Sequence, residues 1–568
     1  MAGCSPRRIG LSATIGNPEL AAAMLGAGSN RITVIPRFER GKEIWRLSME
    51  HFYNHGPQAD AATPAAGNPL PLEAPTDTAP DNADPGMGYI FEHTRGRKCL
   101  VFTNSREECE LVCQNLRMYC REKHEPERFL IHHGNLSASY RESAEFDMKD
   151  DDSQMSVCAT ATLELGIDIG RLERAFQIDA PFTVSGFLQR MGRTGRRGNP
   201  SEMWFVMREE YPESRAMLPE RIPWYLIQGI ALVQLYIEER WVEPPRTGRM
   251  PFSLLYHQTM STLAAHGEMS PRELASRVLT LSPFGNISQE DFRTLLRHLL
   301  DTGHIQRTET GGLILGIYGE RIVNDYKFYA VFQENVEYHV RSGSEQLGTV
   351  VKPPPVGDKI AIAGRVWVVD EIDHQKHEIY CTLVNGIIPA YFGDVAGDIH
   401  TRILERMYGV LREEKVYPYL RPQAAARLAT ARKEFMAAGM DSHPLVNIGG
   451  SMWALFPWLG TYVSIALERF LKIKCAARLG IRGLQSHRPY FMQFSMKASA
   501  QEFFSIVKEE AAKDFEPLDL VYPNENLVFD KYDEYLPQEL IHKGFTCGIL
   551  EIDEMRRRIQ GWPGLPEA

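Results

Sequence analysis

Two short segments of this 568-residue chain carry residue types suited to phosphoryl chemistry. The first reads ATATLELGIDIG and holds Gly166 and Asp168, and the second reads LQRMGRTGRRG and holds Arg193 and Arg196. A glycine lets the backbone approach a ligand, and an aspartate can accept a hydrogen bond from a ribose hydroxyl. Two guanidiniums on one helical face match the charge that a transferring phosphoryl group spreads over its oxygens. The two segments together predict a nucleotide-phosphate site.

The alternative is that Arg190 to Arg197 form a solvated basic helix with no ligand. That interpretation would be preferred for an isolated cluster of arginines. Here a Gly-x-Asp turn precedes the cluster within the same predicted sheet. The phosphate site is therefore the favoured hypothesis.

A second cluster lies on one face of a predicted helix and raises the possibility of a metal site: Cys109, Cys113, Cys120 and His124. Structural zinc sites normally use closely spaced cysteine pairs, whereas apolar residues lie between these positions. We therefore expect this face to pack in the core and expect no metal site.

The elements that must position the phosphate segments are short apolar strands, which alternate with helices from residue 98 to about 208. Such alternation predicts an α/β fold with a parallel sheet covered on both faces. Each phosphate segment begins just after a predicted strand. That is the edge of the sheet where open α/β folds place their ligand sites.

Composition and pattern divide the rest of the chain into further predicted domains. A linker over 36–97 contains an insertion, 56–88, that is rich in Pro, Ala and Asp, lacks Lys and Arg, and is predicted to be disordered. The sheet lobe is assigned to 98–215. Three helices and a hairpin predict a winged-helix domain over 216–322. Short alternating strands, including KFYAVF at 327–332, predict a small β-barrel or sandwich over 323–400, and an α+β domain completes the chain at 401–568.

Overall composition sets the class of protein. The hydrophobic fraction of 43% is ample for cores, and the net charge of −10 argues against a generally basic nucleic-acid coat. The 63 Lys and Arg residues can still be concentrated along one groove. Nine cysteines without a C-x-x-C pair fit reduced thiols, and neither a signal nor a membrane span is evident. We expect a soluble, cytoplasmic, multidomain protein without disulfides.

The motifs GLSATIGN, VFTNSR, HHGNLS, ATATLELGIDIG and QRMGRTGR stand in the order and spacing found in superfamily 2 helicases. Their wording resembles the Lhr (large helicase-related) family. The resemblance is continuous from residue 5 to about 208 and is weaker through the predicted winged helix and barrel. It implies a RecA-like helicase C-terminal lobe over the parallel sheet.

The resemblance also implies roles for individual residues. Those that couple the nucleotide state to unwinding would be Ser12 and Thr14. Those that contact the phosphates of a tracked strand would be Ser105, Arg106, His133, Gly134 and Thr160. Those that close on ATP would be Gly166, Asp168, Gln189, Arg193 and Arg196, with Gln189 and the two arginine fingers as the catalytic residues.

A motor of this class holds ATP and Mg²⁺ mainly in a first RecA-like lobe, through a glycine-rich phosphate loop and an acidic pair. The pattern G-x-x-x-x-G-K-[ST] occurs nowhere in the chain, and no Asp-Glu-x-His stretch precedes Ser12. We therefore expect residues 1–35 to be the tail of that lobe, with a strand near Ile9 that lacks its neighbours. The chain would be the C-terminal part of an ATP-dependent helicase, and the first lobe would come from the same or a partner chain.

The resemblance implies movement on single-stranded DNA, unwinding of DNA or RNA–DNA duplexes, and a role in repair. The chain alone is expected to bind single strands and to hydrolyse no ATP. The alternative is a stand-alone nucleic-acid-binding or regulatory module, but the retained Asp168 and arginines favour the helicase. A related helicase group with a Cys-rich zinc-binding tail is disfavoured, since only Cys475 and Cys547 follow Cys381.

Overall fold

The structure is a computed structural model, and its described residues fall into two compact units. The sheet unit comprises Glu39–Val242 and Val336–Asp441, and the helical unit comprises Met1–Phe38, Glu243–Asn335 and Ser442–Ala568. The described residues are 7–12, 14–29, 31–36, 44–54, 84–150, 153–164, 170, 172–195, 200–213, 215–332, 337–350, 359–363, 365–374, 376–384, 397–523, 525 and 527–562. Most of the predicted insertion at 56–88 lies outside these residues.

The first described element belongs to the helical unit. Helix α1, Pro18–Gly26, begins after Asn17, whose side-chain oxygen accepts a hydrogen bond from the Leu20 N–H at 3.0 Å. The preceding residues 7–12 form no strand, and the side chains of Ile9 and Leu11 are 76% and 95% exposed. A strand needs neighbours for its backbone groups, and the described residues supply none at this position.

Six parallel strands form the centre of the sheet unit, in the order β1-β6-β5-β2-β4-β3. The strands are β1 Trp45–Tyr53, β2 Cys99–Phe102, β3 Phe129–His132, β4 Ser156–Ala159, β5 Arg174–Ile178 and β6 Ser201–Glu209. The helices of this region are α2 Pro85–His93, α3 Arg106–Glu122, α4 Ala138–Lys149, α5 Val184–Met191 and α6 Trp224–Glu239. Every residue of β2, β4 and β5 is buried, as expected for strands covered on both faces. The predicted α/β class and parallel sheet are confirmed.

The parallel sheet extends further toward the N-terminus than the predicted lobe at 98–215. Strand β1 lies within the segment 36–97 that we assigned to a linker, yet it pairs with β6 along its whole length, from Trp45 opposite Ser201 to Tyr53 opposite Glu209. Helix α2 also belongs to this unit and includes the last residues of the predicted insertion. Its first turn is fixed by the Asp84 carboxylate, which accepts the Gly86 N–H at 2.8 Å.

The helical unit continues with the three helices and the hairpin that predicted a winged-helix domain. These elements are α7 Phe252–His266, α8 Pro271–Val278, α9 Gln289–Asp301, β7 Ile305–Arg307 and β8 Leu313–Leu315, followed by α10 Ile317–Asn324. The prediction of a strand from KFYAVF is wrong, because Tyr326–Tyr329 form a 3₁₀ turn. The Asp325 carboxylate accepts the Lys327 N–H at 2.9 Å, and Phe328 turns inward onto His257.

A second sheet and two helices complete the sheet unit. Five strands stand in the order β10-β9-β13-β12-β11: β9 Tyr338–Ser342, β10 Glu345–Val350, β11 Lys359–Ile362, β12 Arg365–Asp373 and β13 Glu378–Leu383. Helices α11, Thr401–Arg412, and α12, Pro422–Ala437, then pack against α6 and β1. Residues 401–441 thus group with the parallel sheet, rather than with the predicted C-terminal domain.

The last part of the helical unit is a four-stranded antiparallel sheet covered by helices, in the strand order β14-β15-β17-β16. The elements are β14 Leu445–Gly449, β15 Met452–Leu455, α13 Thr461–Phe470, a π turn Leu471–Cys475, α14 Ala476–Leu479, β16 Arg482–His487, β17 Phe491–Ser495, α15 Ala500–Ala512, α16 Gln538–Gly548 and α17 Ile552–Gln560. Across the described part of the chain, no helix is both long and apolar enough to cross a membrane.

The cysteine cluster of α3 packs in the core of the sheet unit. Cys109, Cys113 and Cys120 are buried among apolar residues of α2, α3 and the parallel sheet, and burial raises the pKa of the Cys109 thiol. His124 lies beyond the end of α3 in a left-handed conformation. The described residues contain no cluster of His, Cys, Asp or Glu that could hold a metal ion. The expectation of a packed core face is confirmed for the three cysteines.

Candidate nucleic-acid groove

A groove of about 650 Å³ lies at the carboxyl ends of β5, β2, β4 and β3, within the sheet unit. Four residues predicted as nucleic-acid contacts line it: Ser105, Arg106, Gly134 and Thr160. They come from loops after three different strands, which meet here because the carboxyl ends of parallel strands share one edge of the sheet. The other lining residues are Asn104, Glu107, Ala161, Thr162, Glu164, Pro181, Phe182, Thr183, Gly186, Arg190 and Asp398.

The first wall of the groove is the beginning of α3. Ser105 caps this helix, since its hydroxyl oxygen accepts the Glu108 N–H at 3.0 Å. Arg106 is the first helical residue and is exposed to solvent. A cation beside the N-terminus of a 17-residue helix suits an anionic ligand, because the free N–H groups and the helix dipole both favour negative charge.

The loops after β3 and β4 form the opposite wall. Gly134 lies near Arg106: a Cβ built on this glycine would stand 3.7 Å from the Arg106 Nη2. Thr160 follows β4 directly, and the carbonyl of Ala159 accepts the Thr103 N–H at 3.0 Å. That bond holds the ends of β2 and β4 side by side, so the Thr160 and Ser105 loops have a fixed separation.

His133 lies away from the groove surface, although we predicted it as a phosphate contact. His133 is 2% exposed, and its Nε2 lies 2.7 Å from Oε1 of Glu110, which is 4% exposed. The other ring nitrogen, Nδ1, accepts the Asn135 N–H at 3.3 Å. The neighbouring His132 is also buried, between the Thr162 hydroxyl and the Glu145 carboxylate. A phosphate could reach the His133 ring only if the buried pair with Glu110 separated.

A network of polar side chains around Arg190 joins the floor of the groove. The Arg190 guanidinium donates to Glu164 Oε1 at 2.7 Å, to Gln177 Oε1 at 2.6 Å and to Asn104 Oδ1 at 3.2 Å. Asn104 in turn donates to the carbonyl of Ala180 at 2.9 Å. These bonds tie α5 to the ends of β2 and β5. Arg190 therefore has a positioning role, and its charge is balanced by Glu164.

The residues predicted to face ATP are only partly described. Gln189 is partly exposed on α5, and the Arg193 guanidinium donates from Nη2 to the carbonyl of Glu164. Gly166, Asp168 and Arg196 lie outside the described residues. The prediction that Arg193 and Arg196 share a helical face is wrong in one respect: α5 ends at Met191, and Arg193 occupies the turn beyond it.

Gly195 follows this turn, adopts a left-handed φ of +76° and packs against Ser201. A Cβ at position 195 would lie 2.6 Å from the Ser201 backbone nitrogen, so only glycine fits. The donors at Gln189 and Arg193 suit phosphate oxygens, but the chain has no G-x-x-x-x-G-K-[ST] loop. The residues present therefore supply only part of a nucleotide site, and a phosphate loop would have to come from another lobe.

The two predicted coupling residues lie in the helical unit. The Ser12 hydroxyl is exposed and donates to the carbonyl of Thr14 at 3.2 Å. Thr14 is partly buried. Their coupling role stays a prediction.

Phe182 and Asp398 line the groove and were missed by the sequence analysis. Phe182 follows β5 two residues before α5, and the chain passes it so closely at Gly397 that a Cβ there would lie 2.2 Å from its ring. Nothing local in the sequence brings residues 397–398 to a loop more than two hundred positions earlier. Phe182, in contrast, follows an apolar strand and precedes the helix-capping Thr183, so its place at the sheet edge could have been recognised.

Comparison with known proteins adds the family. Residues 86–198 match the model of the helicase conserved C-terminal domain. The chain is 24% identical over 434 residues to the Lhr helicase/uracil glycosylase of Escherichia coli, covering 66% of this chain and 26% of that protein. It is 37% identical over 101 residues to the ATP-dependent helicase Lhr-Core of Methanothermobacter thermautotrophicus, covering 18% of this chain and 12% of the relative. Residues 86–198 thus form a helicase C-terminal domain, and the chain is similar to helicases of the Lhr family.

A solved Lhr structure has the same fold. The Mycobacterium smegmatis helicase Lhr bound to ssDNA and AMP-PNP superposes with a TM-score of 0.61 at 16% identity, over 97% of this chain and 72% of that one. The aligned parts cover about a quarter or less of the length of the two curated Lhr relatives. The matched helicase domain contains every groove loop that carries a predicted contact, from Ser105 to Thr160.

Proposed function

We propose that this chain supplies the strand-binding lobe of an ATP-dependent Lhr-type helicase, and that the groove of the sheet unit binds the backbone of single-stranded DNA. The complete protein would couple ATP hydrolysis to movement along that strand and to unwinding of DNA or RNA–DNA duplexes.

One observation carries this proposal: four residues that the helicase motifs select, distant in sequence, line one groove. Arg106 supplies a cation, the start of α3 supplies free backbone N–H groups, and Ser105 and Thr160 supply hydroxyls. These groups suit phosphate oxygens and do not distinguish bases. An enzyme that moves along a strand requires backbone contacts of this kind, which do not depend on the base sequence.

Acidic side chains limit where a phosphate can bind. Glu107 and Asp398 also line the groove, and Glu164 is paired with Arg190. Because like charges repel, a phosphate would avoid Asp398 and be attracted to Arg106, although Glu107 beside Arg106 offsets part of that attraction. Phe182 offers a ring against which a base could stack.

Hydrolysis would require a second lobe. Gln189 and Arg193 supply donors at the end of α5, whereas this chain has no phosphate loop or acidic pair for Mg²⁺. A first RecA-like lobe, in the same polypeptide or a partner, would hold ATP and Mg²⁺, and Arg193 would act on the developing charge of the γ-phosphate. The chain alone would then bind DNA without hydrolysing ATP.

The test compares two matched arginine variants on α3. Arg106→Ala removes the proposed phosphate contact at the start of the helix, and Arg121→Ala removes an exposed arginine at its other end. Binding of a fluorescein-labelled oligothymidylate is followed by anisotropy at several salt concentrations. We expect Arg106→Ala to weaken binding and to reduce the salt slope by about 0.7, the value for one single-strand phosphate contact. Equal effects of the two variants would contradict the proposed groove.

A stand-alone nucleic-acid-binding module is the second candidate function, because the groove is complete within this chain. Retention of Gln189 and Arg193 favours the helicase, since a binding module needs no fingers. Adding the phosphate-loop lobe distinguishes the two: DNA-stimulated ATP hydrolysis by the assembly supports the helicase, and its absence supports the module.

A further inference from the structure

One contact between the five-stranded sheet and the parallel-sheet lobe is the buried turn at Ala363, between β11 and β12. The Ala363 N–H donates to Glu110 Oε1 at 2.9 Å, and its carbonyl accepts from Arg117 Nη1 at 2.8 Å. Both partners lie on α3. Ala363 has a φ of +56° and is 1% exposed, so this turn is inserted into the core of the lobe.

Glu110 connects that turn to the groove. The same oxygen that accepts the Ala363 N–H lies 2.7 Å from His133 Nε2. Because His133 Nδ1 accepts the Asn135 N–H, the ring proton belongs on Nε2 and is donated to Glu110. One carboxylate oxygen therefore fixes both the Ala363 turn and the residue that precedes Gly134.

The other side of Gly134 is held by strand β10. The Asn135 carbonyl accepts the Thr349 N–H at 2.7 Å, and the Asn135 side-chain amide donates to the Thr349 carbonyl at 3.2 Å. Leu136 forms an antiparallel bridge with Gly348. The contact at Gly348 is tight, since a Cβ there would lie 2.6 Å from the Asn135 carbonyl oxygen.

We propose that the five-stranded sheet positions the Gly134 loop for nucleic-acid binding, with Glu110 as the positioning residue and His133 acting through Glu110 rather than by touching phosphate. This inference rests on the proposed function of the groove. The loop is held on both sides of Gly134, through Glu110 and the Ala363 turn on one side and through β10 on the other. Gly134 faces the Arg106 guanidinium. A shift of about 1 Å in the loop would misplace one wall of the phosphate site, which is enough to weaken a preorganised contact severalfold.

Three variants test the proposal, with Thr382→Ala on an exposed part of β13 as the control. Glu110→Ala removes the shared acceptor, whereas Glu110→Gln keeps an oxygen that can accept both hydrogen bonds. Gly348→Ala leaves Glu110 intact and pushes on the Asn135 carbonyl. Each variant is assayed for binding of a fluorescein-labelled oligothymidylate, for thermal stability, and for amide hydrogen exchange in the segment 133–137.

We expect Glu110→Ala and Gly348→Ala to accelerate exchange in this segment and to raise Kd by about fivefold or more, with Glu110→Gln and Thr382→Ala within about twofold of the parent. Faster exchange with an unchanged Kd would overturn the proposal, as would Glu110→Gln binding as weakly as Glu110→Ala. Failure of the parent chain to bind would instead reject the proposed function, and the exchange data would still report whether the sheet holds the loop.

Discussion

The Glu209 carboxylate and the Arg427 guanidinium form a two-point ion pair, in which Nε donates to Oε2 at 2.9 Å and Nη2 donates to Oε1 at 2.6 Å. The pair joins the end of β6 to α12, 218 residues later in the chain. His51 at the end of β1 completes it, with Nε2 2.7 Å from Glu209 Oε2. Helix α12 is therefore tied to the parallel sheet by charge as well as by packing.

We predict that Glu209→Gln destabilises the sheet unit by about 2 kcal/mol, because Arg427 would remain buried with a neutral partner. Glu213→Gln is the matched control, since Glu213 is exposed and the same charge is lost. Urea unfolding monitored by tryptophan fluorescence gives both values. Equal losses for the two variants would show that the ion pair contributes nothing specific.

The same pair predicts an acid dependence. Burial raises the pKa of Glu209, but hydrogen bonds from His51 and Arg427 outweigh burial and hold the pKa below its ordinary value of 4.5. A carboxylate with a depressed folded-state pKa stabilises the fold above its unfolded pKa, and this contribution disappears as the pH falls through the folded pKa. The stability difference between the parent and Glu209→Gln should thus be constant near neutrality and shrink below about pH 4.5. A difference that does not vary with pH would refute this linkage.

If Arg193 acts as an arginine finger, its substitution should lower ATP turnover without weakening the binding of single-stranded DNA. In an assembly that contains the phosphate-loop lobe, Arg193→Ala should lower kcat for DNA-stimulated ATP hydrolysis by about 10³-fold, since fingers act on charge that develops in the transition state. The Kd for single-stranded DNA should change little. Arg121→Ala serves as the control. Parallel losses of kcat and affinity would make Arg193 a strand contact.

The cysteine face of α3 predicts that chelators do not change the thermal stability of the protein. Cys109, Cys113 and Cys120 are packed among apolar side chains, so treatment with EDTA should leave the thermal midpoint of unfolding unchanged. Proteins with structural zinc unfold or lose stability when the metal is removed. A lower midpoint in EDTA that zinc restores would contradict the packed-core assignment.

Local patterns were sufficient to predict strands β2 to β6 of the parallel sheet, because each is a short, mostly apolar run between turns. They failed at Tyr326–Tyr329, where alternating aromatic residues resemble a strand but Asp325 caps a 3₁₀ turn. They also failed to place β1 and α12, since the contacts that hold them, such as Glu209 with Arg427, join residues far apart in sequence. No local rule encodes such contacts.

The groove residues also divide into those whose positions local sequence could predict and those whose positions depend on distant contacts. Ser105, Arg106, Gly134 and Thr160 could be predicted because helicase motifs follow strand ends, and the sheet brings those ends together. The burial of His133 could not be predicted. It depends on Glu110, which lies one helix earlier, and on Ala363, which is more than two hundred residues away.

Hydrogen exchange with and without an oligothymidylate tests most directly whether the groove at the carboxyl edge of the parallel sheet holds single-stranded DNA. We predict slower exchange on DNA addition in three segments: the start of α3 from Arg106, the loop around Gly134, and the residues that follow Thr160. Binding that leaves these three segments unchanged and protects another surface would contradict it.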